Sequence, residues 1–130
     1  MNVEHVGFQH PDPVAAASWY GEHLGLKTLR GMSEPPFTHF FADASGRVVF
    51  EIYKNPDAPM PDYANQDILV FHLAFESSDA RGDRDRLVAA GATIAVDHSD
   101  TAKPGKDIVI TLRDPWGVPF QFAMRAKPMV

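Results

Sequence analysis

The chain has 130 residues, of which 45% are hydrophobic and 22% charged, a composition typical of a soluble protein with one domain or two small fused modules. The net charge of −5 argues against nucleic acid as a partner, and the absence of cysteine excludes disulfides, thiolate nucleophiles and cysteine zinc sites. No apolar run approaches the ~20 residues that span a bilayer, and residues 1–10 lack the regions of a signal peptide. We therefore expect a cytoplasmic protein without a membrane partner, in which any metal is held by histidine, carboxylate or amide groups.

The first half of the chain predicts a strand, a helix and three further strands. Residues 3–9 alternate between apolar and polar side chains, as in a strand. Asp12 is a favourable N-cap, and Pro13 suits the first helical position because an N–H has no partner there. The helix is expected to end at Gly25, which can adopt a left-handed conformation. Further strands are predicted at about 27–32, 37–43 and 47–54.

The same order of elements returns after a proline-rich segment. Residues 55–67 contain three prolines and no periodicity, so we interpret them as a linker inside a single domain of residues 1–130. Module 1 covers about 1–54, and module 2 about 68–130. In module 2 we expect a strand at 68–76, a helix capped by Ser78 or Asp79 and followed by Gly91, and strands at about 92–96, 106–113 and 118–125. The polar loop 97–107 is expected to be mobile and to act as a lid.

Five pairs of landmarks support an internal repeat. Each pair has the same place in the two modules, and the two members are 66 to 71 residues apart: His5 and His72, Asp12 and Asp79, Gly25 and Gly91, Gly46 and Gly117, Glu51 and Gln121. A shared offset across all five is improbable by chance, so the sequence predicts two tandem βαβββ modules.

Four polar side chains lie in predicted strands among apolar neighbours: His5, Glu51, His72 and Gln121. Because successive strand residues point to opposite faces, each of these side chains faces away from the apolar layer that packs on the helices. We therefore expect the four to share a concave face of the sheet. Two imidazoles, a carboxylate and an amide suit one divalent ion of zinc, nickel, cobalt, manganese or iron(II). The alternative is that each is a hydrogen-bonded sheet residue without a metal.

Three stretches of the chain resemble the vicinal oxygen chelate superfamily, which includes glyoxalase I, bleomycin-resistance proteins and extradiol dioxygenases. They are EHVGF…DPVAAASWYGEHLGL, GRVVFEIYKNP with FHLAF, and RDPWGVPFQFAMR. The resemblance covers nearly the whole chain. It implies an α+β fold in which two βαβββ modules form a half-open curved sheet around a central, metal-holding pocket. It also implies a homodimer.

The resemblance implies metal ligands on the first and last strands of each module, at His5, Glu51, His72 and Gln121. The arrangement is most similar to that of glyoxalase I, where a second glutamate usually stands at the position of Gln121 and is a leading candidate for the base. An amide cannot accept a proton, so Glu51 is expected to be the catalytic residue. Glutathione-using members carry an arginine where this chain has Gln9, which weakens a glutathione adduct as the substrate, although Asn55 does match an asparagine of such members.

Three functions follow from these residues. The first is a metal-dependent lyase, similar to lactoylglutathione lyase, or an isomerase, acting on a small substrate that chelates the ion through vicinal oxygens. The second is an antibiotic-type binding protein without chemistry. The third is an Fe(II) ring-cleaving dioxygenase, against which the position of the carboxylate counts. The expected substrate pocket contains Gln9, His39, Tyr53, Asn55 and Arg113. For Arg113 the sequence leaves two roles open, of which a surface ion pair is favoured over binding of a substrate carboxylate.

Overall fold

The computed structural model describes all 130 residues and contains two compact units, Met1–Pro61 and Asp62–Val130. Unit 1 consists of β1 (Val6–Gln9), α1 (Pro13–Leu24), β2 (Lys27–Gly31), β3 (His39–Ala42) and β4 (Val48–Tyr53). Unit 2 repeats this order with β5 (Leu73–Glu76), α2 (Ala80–Ala89), β6 (Thr93–Asp97), a short 3-10 helix (Ser99–Thr101), β7 (Ile108–Arg113) and β8 (Pro119–Met124). The predicted α+β fold of two tandem βαβββ modules is confirmed.

Each unit forms a mixed four-stranded sheet with the same strand order. The order is β1-β4-β3-β2 in unit 1 and β5-β8-β7-β6 in unit 2. The first strand of each unit pairs in parallel with the last, whereas the other pairs are antiparallel. The first and last strands of a module are therefore neighbours, so residues distant in the sequence meet in one row.

Capping residues fix where the helices begin. Asp12 accepts a hydrogen bond from a main-chain N–H in the first turn of α1, and Pro13 begins that turn. Asp79 caps α2 in the same way. Helix α1 ends at Gly25, whose φ of 68° is left-handed, as predicted. Neither helix has the length and apolar composition needed to cross a membrane.

One face of each sheet is a buried apolar layer. In unit 1, the ring of Tyr20 on α1 lies 5.7 Å from that of Phe41 and 6.0 Å from that of Phe50, and all three residues are buried. In unit 2, α2 packs against β7 and β8. The alternate residues of these two strands that form its buried layer are Ile110, Leu112, Phe120 and Phe122.

Two predicted strands begin three or more residues later than expected. The first was predicted from residue 3 and begins at Val6, and the fifth was predicted from residue 68 and begins at Leu73. In the second case, Asp67 accepts a hydrogen bond from the N–H of Leu69 through its side chain and one from the N–H of Val70 through its main-chain oxygen. These bonds stabilise a turn at the start of the predicted strand, which the apolar residues from position 68 onward did not indicate.

The polar loop after β6 is fastened to α2. Arg84 on α2 donates a hydrogen bond of 2.5 Å to Asp97, and Arg81 donates one of 2.6 Å to the main-chain oxygen of Ser99. Asp97 also accepts a bond from the N–H of Ser99, which is buried. The polar residues that suggested a mobile lid therefore anchor the first part of this loop.

Acid is expected to remove the stabilisation that Asp97 provides. Desolvation raises the pKa of Asp97, but hydrogen bonds from Ser99 and Arg84 outweigh it and lower the pKa from 3.8 to about 2. A carboxylate with a lowered folded-state pKa stabilises the protein above its unfolded-state value, and the contribution is lost as the pH falls from 3.8 towards about 2. With allowance for solvent screening, we expect Asp97 to contribute about 1 kcal/mol to the free energy of unfolding at neutral pH.

Urea unfolding of wild type and Asp97→Asn at several pH values measures this contribution. The difference in the free energy of unfolding should be largest near neutral pH and should shrink below pH ~4. Asp100→Asn, at an exposed position in the 3-10 helix that follows Asp97, serves as the matched control and should show no such trend. An Asp97→Asn difference that is constant from neutral pH to pH ~3 would contradict the role given to Asp97.

Candidate metal-binding site

Glu51 and Gln121 occupy equivalent positions in the two sheets. Glu51 on β4 pairs with Gly7 on β1, and Gln121 on β8 pairs with Ala74 on β5. Both polar residues are half-buried, and the residues on either side of each are buried. Their side chains therefore lie on the sheet face opposite the apolar layer of their own unit.

His5 reaches Glu51 from just before β1. Its Nε2 lies 3.2 Å from Oε2 of Glu51, and its Nδ1 contacts a carboxylate oxygen of Glu4. The side chains of His5 and Glu51 are 33% and 19% exposed, so a solute can reach both. The hydrogen bond with Glu4 is the main cause that raises the pKa of His5, against desolvation, and Glu51 adds to the increase. An imidazole and a carboxylate thus converge on this face of unit 1.

Three residues frame this pair. A Cβ at Gly7 would lie 3.0 Å from Oε2 of Glu51 and 3.3 Å from Cε1 of Tyr53, so the missing side chain leaves space that the carboxylate uses. Phe40 pairs with Glu51 across β3 and β4, and its ring meets that of His5 edge-on at 5.3 Å between centroids. The expected pocket included Tyr53 but neither Gly7 nor Phe40, because only the strand register reveals these two as neighbours of Glu51.

His72 has the place in unit 2 that His5 has in unit 1. It lies immediately before β5 and two residues ahead of Ala74, as His5 lies two ahead of Gly7. Its Nδ1 is 2.9 Å from the main-chain oxygen of Ile68, which assigns the proton of the neutral ring to Nδ1 and leaves a lone pair on Nε2. Metal-binding histidines commonly engage a carbonyl or carboxylate with the second ring nitrogen, and both histidines have this contact.

Each unit supplies one imidazole and one side-chain oxygen donor. No group of three or more His, Asp or Glu side chains in the chain is arranged to hold a metal ion. The donor chemistry nevertheless fits a divalent ion, because two imidazole nitrogens, a carboxylate and an amide oxygen are ligands that such ions accept.

Gln9 and Asn55 use their polar groups to shape the loop after β4. Oε1 of Gln9 accepts a 2.7 Å bond from the N–H of Asn55, and its Nε2 donates to the main-chain oxygens of Asn55 at 2.7 Å and Ala58 at 2.8 Å. The side chain of Asn55 accepts a bond from the N–H of Asp57. These contacts fix the first part of segment 55–67 to unit 1, so neither residue is carried into the proposed pocket.

Arg113 has a similar role in unit 2. Its guanidinium donates to the main-chain oxygens of Tyr63, Gln66 and Gly117. These bonds fix the second part of segment 55–67 to unit 2, so the guanidinium is not free to bind a substrate carboxylate. The segment interpreted as a linker is thus fastened at both of its ends.

His39 lies on the other face of its sheet from Glu51. It stacks on Phe41, which is fully buried beneath Tyr20 of α1, and its Nδ1 is 2.7 Å from the main-chain oxygen of Phe37. Alternation in β3 could not show which face the helix covers. Because it does cover the face of His39, that residue is not carried into the proposed pocket either.

Comparison with known proteins gives one family match. The family model described as the Glyoxalase/Bleomycin resistance protein/Dioxygenase superfamily matches residues 2–122 of the chain. No curated protein sequence matches the chain.

Solved structures share the fold of the chain. The fosfomycin resistance protein FosX from Listeria monocytogenes, complexed with Mn(II) and sulfate, has a TM-score of 0.67 at 16% identity, over 95% of this chain and 90% of that one. A possible glyoxalase from Bacillus cereus has a TM-score of 0.66 at 16% identity, covering 94% and 97%. A glyoxylase/bleomycin resistance protein/dioxygenase domain from Frankia sp. EAN1pec has a TM-score of 0.67 at 20% identity, covering 96% and 92%. At these identities the likeness concerns the fold alone.

Proposed function

The chain belongs to the glyoxalase/bleomycin resistance protein/dioxygenase superfamily, and we propose that it is a metal-dependent lyase or isomerase of the glyoxalase-like type. Superfamily members bind small-molecule substrates, and FosX was solved with Mn(II). One observation in this chain carries the proposal. At equivalent positions before β1 and β5, His5 and His72 each engage an oxygen with Nδ1, as metal-binding histidines commonly do, and Nε2 of His5 lies 3.2 Å from Oε2 of Glu51.

The proposed ligands of one divalent ion are Nε2 of His5, a carboxylate oxygen of Glu51, Nε2 of His72 and the amide oxygen of Gln121. Zinc, nickel, cobalt, manganese and iron(II) all accept such donors. When bound, the ion would supply a Lewis acid that favours negative charge on an oxygen of the substrate. A substrate with two adjacent oxygens would suit such an ion, because both oxygens can bind it.

Glu51 is the proposed base. A carboxylate has two oxygens, so one can remain a ligand while the other accepts a proton from a carbon next to a substrate carbonyl. Gln121, at the equivalent position of unit 2, cannot accept a proton. Phe40 and Tyr53 lie beside Glu51 and would contact the carbon skeleton of the substrate and exclude water from it.

Proton exchange in D₂O tests the proposed chemistry. Zn(II)-loaded protein is incubated with a panel of α-hydroxy ketones and the hemithioacetal of methylglyoxal, and loss of the proton next to the carbonyl is followed by NMR. We expect exchange faster than with Zn(II) alone, and none above that level for Glu51→Gln at saturating Zn(II). If the wild type exchanges no faster than Zn(II) alone, the enzymatic proposal is wrong.

A binding protein without chemistry is the second candidate. The observation that favours it is the pair of aromatic side chains, Phe40 and Tyr53, on the same face as Glu51. Binding of the same compounds without exchange would support it. A dioxygenase is disfavoured, because the amide of Gln121 stands where the resemblance places the carboxylate of such enzymes. We also propose that residues 1–130 act as one functional domain and form a homodimer, which light scattering can test.

A further inference from the structure

A single row of residues crosses the sheet of unit 1 from one edge to the other. Gly7 pairs with Glu51, Glu51 with Phe40, and Phe40 with Arg30 on the edge strand β2. Residues directly opposite each other on neighbouring strands share a face of the sheet. Arg30 therefore lies on the same face as Glu51, and two strand spacings put their Cα atoms about 10 Å apart.

A β-bulge in β2 sets this position. Thr28 pairs with Phe41 and Arg30 pairs with Phe40, so Leu29 is an extra residue in the ladder. Without the bulge, Arg30 would lie opposite the next residue of β3 and would face α1. Bulges often re-aim a side chain in this way.

The neighbouring glycine confirms the direction of Arg30. A Cβ at Gly31 would lie 2.8 Å from Cδ2 of His39 and 3.5 Å from the methyl group of Thr28. His39 and Phe41 lie on the helix-covered face. Because successive residues alternate, Arg30 points to the opposite face, that of Glu51.

Arg30 is exposed and has no carboxylate partner within the protein. The guanidinium groups of five other arginines are occupied by carboxylate or carbonyl oxygens: Arg81, Arg84, Arg86, Arg113 and Arg125. Unit 2 lacks a counterpart, because Val96 holds the equivalent place in its row with Thr111 and Gln121. A cationic group at this place is thus specific to unit 1.

We propose that Arg30 is a specificity-determining residue that binds an anionic group of the substrate. This inference rests on the proposed function. The two adjacent oxygens of the substrate would lie beside Glu51, its apolar carbon skeleton would cross Phe40, and a carboxylate or phosphonate at the far end would accept hydrogen bonds from the guanidinium. Arginine is suited to such groups because its planar fork can donate two parallel hydrogen bonds to them.

Paired probes measure this role by calorimetry. The anionic probe is 3,4-dihydroxybenzoate, and the neutral probe is 3,4-dihydroxybenzamide, which has the same vicinal oxygens and ring. The proteins are wild type, Arg30→Gln, Arg30→Lys and the control Arg47→Gln, which removes the same charge from an exposed position in the turn before β4. Titrations are run with and without Zn(II), and the ratio of the two affinities is the readout.

We expect the wild type to prefer the anionic probe by about tenfold, since hydrogen bonds between ionised groups are the stronger ones. Arg30→Gln should bring the ratio close to one, Arg30→Lys should keep part of the preference, and Arg47→Gln should leave it unchanged. A wild type without preference, or an equal preference in Arg30→Gln, overturns the proposal.

The two proposals fail separately. An Arg30-dependent preference in a protein that exchanges no substrate proton retains the role of Arg30 and removes the enzymatic function. Proton exchange that needs Glu51, together with an unchanged ratio in Arg30→Gln, retains the enzymatic function and removes the role of Arg30. The zinc content of Arg30→Gln should equal that of wild type, because Arg30 lies two strands away from Glu51.

Discussion

Replacing Glu51 with glutamine is expected to lower the affinity for a divalent ion on the order of 100-fold, since Glu51 is the only anionic group among the four proposed ligands. Gln121→Glu, at the equivalent position of unit 2, should raise the affinity by about tenfold because it adds a second carboxylate. Both changes conserve side-chain shape, so they isolate the effect of charge. Competition with a chromophoric chelator measures both affinities.

The double exchange, Glu51→Gln with Gln121→Glu, restores one carboxylate to the set. Its affinity for the ion should return towards that of wild type. Glu22→Gln, at an exposed position on α1, serves as the control and should change nothing. If Glu51→Gln and Gln121→Glu both leave the affinity unchanged, the two side chains are not ligands, and the amide of Gln121 is only a hydrogen-bonding group of the sheet.

Filling the space at Gly7 is expected to displace the carboxylate of Glu51. A Cβ at this position would lie 3.0 Å from Oε2 of Glu51, and the further methyl groups of valine need more room still. We expect Gly7→Val to weaken metal binding by about tenfold, since a displacement of about 0.5 Å spoils a metal site. Gly7→Ala should have an intermediate effect.

Stability provides the control for this change. Gly7 has no positive φ, so its backbone conformation admits a side chain, and valine favours strands. The free energy of unfolding should therefore change by no more than about 1 kcal/mol. Metal affinity equal to that of wild type in a folded Gly7→Val protein would contradict the geometry proposed around Glu51.

Local signals in the sequence predicted the fold well. The side chain of Asp12, the fixed φ of Pro13 and the left-handed conformation of Gly25 act within a few residues, so the sequence alone indicates where α1 begins and ends. The start of the strand predicted at 37–43 does not follow from such local signals. It begins only at His39, because Phe37 adopts a φ of 59°, which is unusual for a residue with a bulky side chain.

The site depends on register, which the sequence does not contain. The alternation of side chains correctly placed Glu51 on the sheet face opposite that of Phe50 and Ile52. It could not show that Gly7 and Phe40 lie beside Glu51. It also could not show the bulge that turns Arg30 to the same face. Arg113 resembled a substrate-binding group in the sequence, and only the structure shows its bonds to main-chain oxygens.

The metal content of protein purified without chelator tests whether His5, Glu51, His72 and Gln121 are the ligands of one divalent ion, as proposed. We expect one divalent ion per chain in the wild type. His5→Ala and His72→Ala should each lose it, although the two residues belong to different units, whereas the exposed-site control His98→Ala should keep it. A wild type without metal, or a His72→Ala protein that still holds one equivalent with unchanged affinity, would contradict the proposed ligand set.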